Sequence, residues 1–265
     1  MKSIWVVCIK QVPREPVFKK TRDAYQIDRD RTEGIMNPYD RQAIKLAVDL
    51  KEKQGGEVVV LSMGPPQAEE ALRETLAFGV DRAVLLTDPA FAGADTLATA
   101  HTLAAGVRKL GHFSLILCGA RTLDSDTAQV GPQMAEFLDL PMAAYVGKAT
   151  CKERNLRVER TLDGVRERLL LPLPALITVA GQMQTERPLA LGSVEGAFGK
   201  PQVVSWGRQD LEVDPARIGW EGSATVADEY AVWKHSRSGE IIEAKPAEAA
   251  DRILDILVKH NVVGG

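Results

Sequence analysis

Residues 113–138 read FSLILCGARTLDSDTAQVGPQMAEFL, and their pattern indicates the fold class. It opens with an apolar run, residues 113–118, that predicts a buried strand. A glycine and a polar loop follow, and residues 127–138 have the periodicity of a helix. A strand that passes into a helix through a short loop is the repeating unit of parallel α/β sheets. The stretch therefore predicts such a sheet, with a polar loop at the carboxyl end of one strand.

The same alternation of strands and helices fills the chain before this stretch. Further apolar strands are predicted at 4–9, 58–62 and 83–86, and further helices at 39–53, 67–78 and 96–109. Strands that are apolar throughout are typical of a sheet covered by helices on both faces. We therefore expect an α/β fold with a Rossmann-like, doubly wound parallel sheet.

The pattern changes after this sheet. Residues 144–151, 155–161 and 164–171 form three extended runs separated by short polar turns, one of them Asp163-Gly164, which favours a hairpin. These runs predict an antiparallel meander, and residues 176–179 are expected to return to the parallel sheet.

The last part of the chain has little periodicity until its end. Residues 181–222 are rich in Gly and Pro, which favours a binding or docking segment. Residues 247–263 have apolar positions along one helical face and predict a C-terminal helical arm. We therefore expect two parts, an α/β domain at 1–185 that includes the meander and a docking loop with the arm at 186–265.

Composition excludes several classes of protein. The 265 residues carry 33 Lys and Arg against 36 Asp and Glu, a net charge of −3, whereas nucleic-acid binders have a basic excess. No apolar run approaches the roughly 18 residues of a membrane span, and no signal peptide is recognised. Three widely spaced cysteines favour reduced thiols and a cytoplasmic location.

Common catalytic signatures are missing from the sequence. It has no GxGxxG, no GxxxxGK[ST] and no GxSxG motif. Its four histidines lack the spacing of metal ligands, so we expect no metal site and no self-contained hydrolase. No side chain is assigned a catalytic role.

Polar residues where strands end and helices begin are the remaining candidates, because ligands of doubly wound sheets bind there. Cys8 ends the first strand, and its plain alternative is a buried core thiol. Asn37 precedes Pro38, and its alternative is a helix N-cap. Met63 lies in Ser-Met-Gly-Pro, which a tight turn would also explain.

The loop at 124–132 is the most specific candidate. Ser125 or Asp126 can cap the next helix, whose first N–H groups are then free for a pyrophosphate. The candidate ligand contacts here are Asp126, Thr127, Gln129, Val130 and Gly131. Weaker candidates are Thr96 and Thr99, which share one helical face after a capping Asp95.

Together these segments resemble the beta subunit of electron-transfer flavoproteins. The resemblance rests on Cys-Ile-Lys at 8–10, Met-Asn-Pro-Tyr-Asp at 36–40, EALRETLAFG at 70–79, Val-Glu-Arg at 158–160 and LPLPALIT at 171–178. It implies a heterodimer with an alpha subunit that holds a flavin. It also implies that the beta subunit holds AMP or, in electron-bifurcating members, FAD beside an NADH site.

The resemblance also implies roles for individual residues. Cys8, Asn37, Met63 and residues 126–130 would line the nucleotide pocket, and Thr96 and Thr99 would approach the flavin of a bifurcating member. Residues 124–132 and the Ala-Asp-Thr-Leu-Ala-Thr run at 94–99 are similar to the bifurcating and nitrogen-fixation-associated branch. Ser125 stands where that branch usually has Gly, and serine restricts a positive φ that glycine permits.

Three functions stay open at this point. The first is an FAD-binding beta subunit that passes electrons from NADH toward the alpha-subunit flavin, by bifurcation. The second is a beta subunit that holds only a structural AMP, and the third is a stand-alone adenine-nucleotide-binding protein.

A docking loop toward a dehydrogenase is also implied. Its apolar anchors would be Leu189, Leu191 and Phe198, and the family's usual Lys-rich run is missing here. The dehydrogenase would be of the acyl-CoA-dehydrogenase type or another flavin or iron–sulfur enzyme.

Overall fold

The computed structural model describes residues 2–14, 18–20, 25–27, 33–180, 191–199, 203–225, 239 and 241–263. The chain divides into two compact units, Met1–Asp228 and Glu229–Gly265. The strands of the first unit are β1 (Ile4–Ile9), β2 (Gln11–Pro13), β3 (Phe18–Lys20), β4 (Tyr25–Ile27), β5 (Gly34–Met36), β6 (Glu57–Met63), β7 (Arg82–Leu86), β8 (Leu115–Gly119), β9 (Met142–Lys152), β10 (Asn155–Leu162), β11 (Val165–Pro172), β12 (Ala175–Val179) and β13 (Val203–Trp206). Its α-helices are α1 (Pro38–Gln54), α2 (Glu69–Ala77), α3 (Thr96–Leu110), α4 (Val130–Phe137) and α5 (Leu191–Phe198).

A nine-stranded sheet organises the first unit. Its order is β11-β10-β9-β12-β8-β1-β6-β7-β13, and β2 with β5 and β3 with β4 form two small antiparallel pairs. Every neighbouring pair from β9 to β13 in this order is parallel, and β10 is antiparallel to both of its neighbours, β9 and β11. The predicted fold class, a doubly wound parallel sheet with an added meander, is confirmed.

Side chains of β1 show why helices cover both faces of the sheet. Successive residues of a strand point to opposite faces. Trp5, Val7 and Ile9 pack in one apolar cluster with residues of α1 and α2. Val6 and Cys8 pack in a second cluster with residues of α3 and α4. Because both faces are apolar, the strand is buried along nearly its whole length.

The meander buries one face and exposes the other. Ala149, Leu156, Val158 and Leu171 join the cluster under α1. Asp163 and Gly164 connect β10 and β11. Both residues have a positive φ (49° and 79°), as the two central residues of a type I′ hairpin turn do. The hairpin expected from the sequence is confirmed.

Residues 191–222 contain more regular structure than their sequence indicates. β13 pairs in parallel with β7 and extends the sheet, α5 packs against α2, and Leu211 and Ile218 are buried in the core beside α3. These elements are short, so their periodicity is hard to read. The first unit continues to Asp228, beyond the boundary of 185 that we expected from the sequence.

The second unit contains α6 (Pro246–Lys259), close to the predicted arm at 247–263. Ile253, Leu254 and Val258 on its apolar face are each about half exposed. Across the parts of the chain that the structure describes, no helix combines the length and the apolar character that crossing a membrane requires.

Candidate functional site

The carboxyl ends of β1 and β8 lie side by side, and the chain leaves them in opposite directions. From β1 the chain passes through α1 to β6, which lies on one side of the β1–β8 pair. From β8 it passes through α4 to β9, which lies on the other side. Cys8 of β1 stands opposite Cys118 of β8. A reversal of this kind opens a crevice at the edge of the sheet, where ligands of doubly wound folds bind.

Asn37 precedes α1 at this edge, but it does not cap the helix. Its side chain makes no capping hydrogen bond. Instead Nδ2 donates to the carbonyl of Arg121 at 2.9 Å, and the backbone N–H donates to the carbonyl of Lys10 at 2.9 Å. Asn37 occupies the N-cap position, but the alternative of a capping side chain is wrong, because the buried amide is turned toward the loop after β8. Asn37 thus joins three segments of the crevice.

Asp40, in the first turn of α1, is the residue that sequence reasoning missed. One carboxylate oxygen accepts from the N–H of Lys10 at 2.7 Å and the other from the N–H of Gly119 at 3.1 Å. Burial raises the pKa of Asp40 to about 7, although the hydrogen bonds from Lys10, Asn37 and Gly119 act to lower it. An acidic residue in a first helical turn is common, so the sequence gives no sign of this burial.

Each carboxylate of the loop after β8 has a cation beside it. Lys10 Nζ lies 2.6 Å from Asp124 Oδ2, and Arg121 Nη1 lies 3.4 Å from Asp126 Oδ2. Burial acts to raise the pKa of Asp124, but the charge of Lys10 and the hydrogen bonds from Lys10 and Thr122 together hold the pKa below its usual value. The guanidinium of Arg121 also lies over the Tyr39 ring, 5.3 Å from its centroid. The loop therefore carries little net charge despite its two aspartates.

The backbone of this loop turns through two left-handed residues before α4 begins. Asp126 has φ 51° and Ala128 has φ 56°. Because of these turns α4 starts at Val130, three residues later than predicted. Neither Ser125 nor Asp126 caps it, so that expectation is wrong; Gln129 occupies the N-cap position and makes no capping side-chain bond. Ser125 is not among the left-handed residues, so the missing glycine leaves the loop unstrained at that position.

A row of free N–H groups results from this geometry. Within the described residues, the backbone N–H groups of residues 127 to 131 donate no hydrogen bond to another group of the chain. Pro132, which follows, has no N–H. Gln129 has right-handed torsions next to the left-handed Ala128, an alternation that makes successive N–H groups converge on an anion. The start of α4 adds the positive end of its dipole, so the segment can bind a phosphate.

Thr96 brings the start of α3 against this segment. Its Oγ1 donates to Gln129 Oε1 at 3.1 Å. Asp95 caps α3 by accepting from the N–H of Ala98 at 3.0 Å, as predicted. Thr99 lies one turn further along the same helical face and is partly buried. Thr96 is thus in direct contact with the loop, and Thr99 places a second hydroxyl on the same face of α3.

The capping Asp95 also fixes a distant segment that the sequence did not connect with the site. Its Oδ2 accepts from the N–H groups of Ala224 and Thr225, both at 2.9 Å, and its own N–H donates to Ser223 Oγ at 2.8 Å. Burial would raise the pKa of Asp95, but the hydrogen bonds from these N–H groups and from Ala98 keep it low. Residues 223–225 therefore border the site beside α3.

The remaining predicted contacts lie at the margins of the site. Cys8 is buried in the core cluster under α3 and α4, and Met63 ends β6 and packs partly against the same cluster. Gly131 packs so closely on Thr178 that an added Cβ would lie 2.5 Å from its Cγ2. The structure thus joins Thr96 to Gln129 and Asn37 to Arg121 of the same loop, whereas Cys8 contributes to the core.

The predicted docking residues belong to a separate surface. Leu191 and Phe198 are at the two ends of α5, and both are exposed. Leu189 lies outside the described residues. In the described part of the chain, no group of three or more His, Cys, Asp or Glu side chains could hold a metal ion.

Comparison with known proteins adds to this geometry. The family model described as "Electron transfer flavoprotein domain" matches residues 25–205. An electron transfer flavoprotein subunit beta of Clostridium acetobutylicum is 38% identical over 97% of this chain and 99% of its own. The protein FixA of Azorhizobium caulinodans is 38% identical over 96% and 94%. The caffeyl-CoA reductase-Etf complex subunit CarD of Acetobacterium woodii is 38% identical over 83% and 84%.

Proposed function

The chain belongs to the electron transfer flavoprotein family, among its beta subunits and the related FixA and CarD proteins, and from this we propose that it binds FAD at the carboxyl edge of its sheet. In this proposal it forms a heterodimer with an alpha subunit. It accepts electrons from NADH and passes them by bifurcation toward the alpha-subunit flavin and partner dehydrogenases.

The row of free N–H groups at residues 127–131 is the observation that carries the proposal. Unpaired N–H groups at a helix start suit the pyrophosphate of a dinucleotide. The two aspartates of the loop do not oppose an anion, because Lys10 and Arg121 neutralise them. The residues present therefore fit the phosphate end of FAD.

FAD is favoured over AMP by the extent of the polar surface. AMP has one phosphate, which the start of α4 alone could bind. The surface continues to Thr96, whose hydroxyl contacts Gln129, and to Thr99 one turn beyond. In the proposal these two hydroxyls approach the flavin end of the dinucleotide, and Asn37 holds the loop beside them.

The chain's own residues would bind, orient and enclose the nucleotide. Bound FAD supplies hydride acceptance from NADH and the passage of single electrons. Residues 127–131 hold its phosphates, Gln129 and Thr96 orient it along the edge of the sheet, and residues 223–225 border it beside α3. No side chain is needed as a general acid or base, since protein groups around a flavin act by positioning and by tuning its electronics.

Partners would contact two further regions of the chain. The apolar face of α6 is proposed to bind the alpha subunit, because about half of each of its large side chains is exposed. Leu189, Leu191 and Phe198 are proposed to dock a flavin or iron–sulfur dehydrogenase. The three cysteines are free thiols, in keeping with a proposed cytoplasmic location.

An anaerobic titration with NADH tests the electron path. The chain is purified with its alpha subunit, and flavin absorbance is followed as NADH is added. We expect flavin bleaching in proportion to the NADH supplied. Flavins that stay oxidised under excess NADH would remove the donor from the proposal, whichever nucleotide the chain holds.

A further inference from the structure

Three side chains join the start of α1 to the strand ends and loop that carry the free N–H groups. Lys10, Asn37 and Asp40 are here called the brace. Asp40 accepts from the N–H of Lys10 and of Gly119, Asn37 donates to the carbonyl of Arg121, and Lys10 pairs with Asp124. The brace thus contacts the beginning of the loop at Gly119 and Arg121 and its middle at Asp124. Through the N–H of Lys10 it is also bound to the end of the neighbouring strand, β1.

We infer that Asp40 is a positioning residue whose charged form holds the nucleotide loop in its binding conformation. The inference rests on the proposed function for the identity of the ligand. Asp40 itself reaches the ligand only through the loop, because its carboxylate is buried and both oxygens are used by the ends of β1 and β8.

The charge matters because both oxygens of Asp40 face N–H donors. A carboxylate accepts both bonds, whereas a protonated carboxyl group has one O–H that cannot accept from the N–H in front of it. A buried N–H would then be left without its partner, which is costly. Protonation should therefore loosen the contact between β1, β8 and the loop.

Close packing at Gly119 ties the loop to this carboxylate. A Cβ added at Gly119 would lie 2.2 Å from Asp40 Oδ1 and 2.9 Å from the Cβ of Tyr39. A residue with a side chain would have to displace either the start of α1 or the beginning of the loop. The position of the loop is therefore coupled directly to that of Asp40.

Several charged and titratable groups lie around Asp40. Lys10, directly after β1, forms an ion pair with Asp124 of the loop, and the guanidinium of Arg121 lies over the Tyr39 ring. The thiols of Cys8 and Cys118 lie at the same strand ends, and the hydrogen bond with Cys8 together with burial raises the pKa of Cys118 well above its usual value. Since burial places the pKa of Asp40 at about 7, its two forms interchange near neutrality.

The test compares nucleotide affinity of wild type and Asp40→Asn between pH 5.5 and pH 8.5. The chain is used in complex with its alpha subunit after its own nucleotide is removed, and the probe is FAD. The amide of the variant cannot accept both N–H bonds at any pH. We expect its Kd to be roughly tenfold that of wild type at pH 8.5, the cost of one bond to a charged group. The ratio should fall toward one at pH 5.5, where wild type is itself protonated.

Two other variants separate positioning from general damage to the fold. Gly119→Ala should raise the Kd for FAD because the added methyl group displaces the loop from Asp40, although the carboxyl group of Asp40 itself is kept. Asp49→Asn changes a surface carboxylate of the same helix, which pairs with Lys45, and should leave the Kd unchanged. Gly196→Ala, in α5 with open space around it, is the matched glycine control.

The outcomes distinguish this inference from the proposed function. A Kd ratio near one at pH 8.5, or a ratio that is the same at every pH, overturns the role of the Asp40 charge. If the complex binds AMP and not FAD, the proposed function fails, but the same ratio measured with AMP still tests the brace. The ligand's own titration cancels in that ratio because it is shared by both proteins.

Discussion

Asp40 makes the stability of the protein depend on pH, at the scale of a single residue. Its pKa is about 7 in the folded chain, compared with 3.8 for an aspartate exposed to water as in the unfolded chain, because burial disfavours its charge. The stability it contributes is therefore complete below about pH 4 and is lost as the pH rises toward 7. The charged form that holds the loop is thus also the form that costs the fold stability.

Asp40→Asn should remove this dependence. Between pH 5 and pH 7 the free energy of unfolding of wild type should fall relative to the variant by about 2 kcal/mol in total. Urea unfolding at several pH values measures the difference, with Asp49→Asn as the control. A difference that does not change with pH would mean that Asp40 is already charged at pH 5.

Thr96 and Gln129 provide a second prediction for individual residues. Losing the hydroxyl in Thr96→Val should weaken nucleotide binding about fivefold, near 1 kcal/mol, because Gln129 loses the group that orients it. Thr150→Val, on the exposed face of β9, is the matched control. In a double-mutant cycle with Gln129→Leu the two effects should not add. Additive losses would show that the two side chains act independently.

At the scale of elements, the two left-handed residues before α4 define the loop. Ala128→Gly should keep nucleotide binding and leave stability unchanged or slightly higher, because glycine adopts positive φ freely. Ala128→Val should cost about 1 to 2 kcal/mol of stability and weaken binding, since a branched side chain resists this conformation. Thermal unfolding and nucleotide content of the two variants measure this. Equal behaviour of both would contradict the assigned loop geometry.

The sequence predicts the elements of this fold well where they are long and apolar. β1, β6 and β8 are continuous apolar runs, and α1 and α3 have clear helical periodicity, so each is found within a few residues. The start of α4 is missed because left-handed torsions at Asp126 and Ala128 leave no mark in residue types that also favour helix caps. β13 is missed because four residues at a sheet edge have too little pattern.

The candidate site is only partly predictable for a related reason. Polar residues at strand ends identify the loop, since a buried strand is rarely followed by so many polar side chains unless they bind a ligand or a partner. Sequence cannot tell which of them face a ligand and which face each other. Asn37 and Asp40 look like parts of a helix start, and only the tertiary structure joins them to Lys10, Gly119 and Arg121.

At the scale of the whole molecule, the exposed apolar face of α6 predicts a partner. Leu254→Asp should weaken association with the alpha subunit by about 10- to 100-fold, because burying a leucine side chain is worth about 1.5 to 3 kcal/mol. Glu248→Gln in the same helix is the control. Dissociation constants from analytical ultracentrifugation measure the change. Unchanged association would mean that another surface binds the alpha subunit.

Counting the nucleotides released from the purified heterodimer shows which nucleotide this chain holds. The complex is denatured, and FAD and AMP are quantified by chromatography against the protein concentration. We expect two FAD per heterodimer, one from each subunit, and no AMP. One FAD with one AMP would contradict it, because this chain would then hold a nucleotide without redox chemistry and serve as a scaffold and docking subunit.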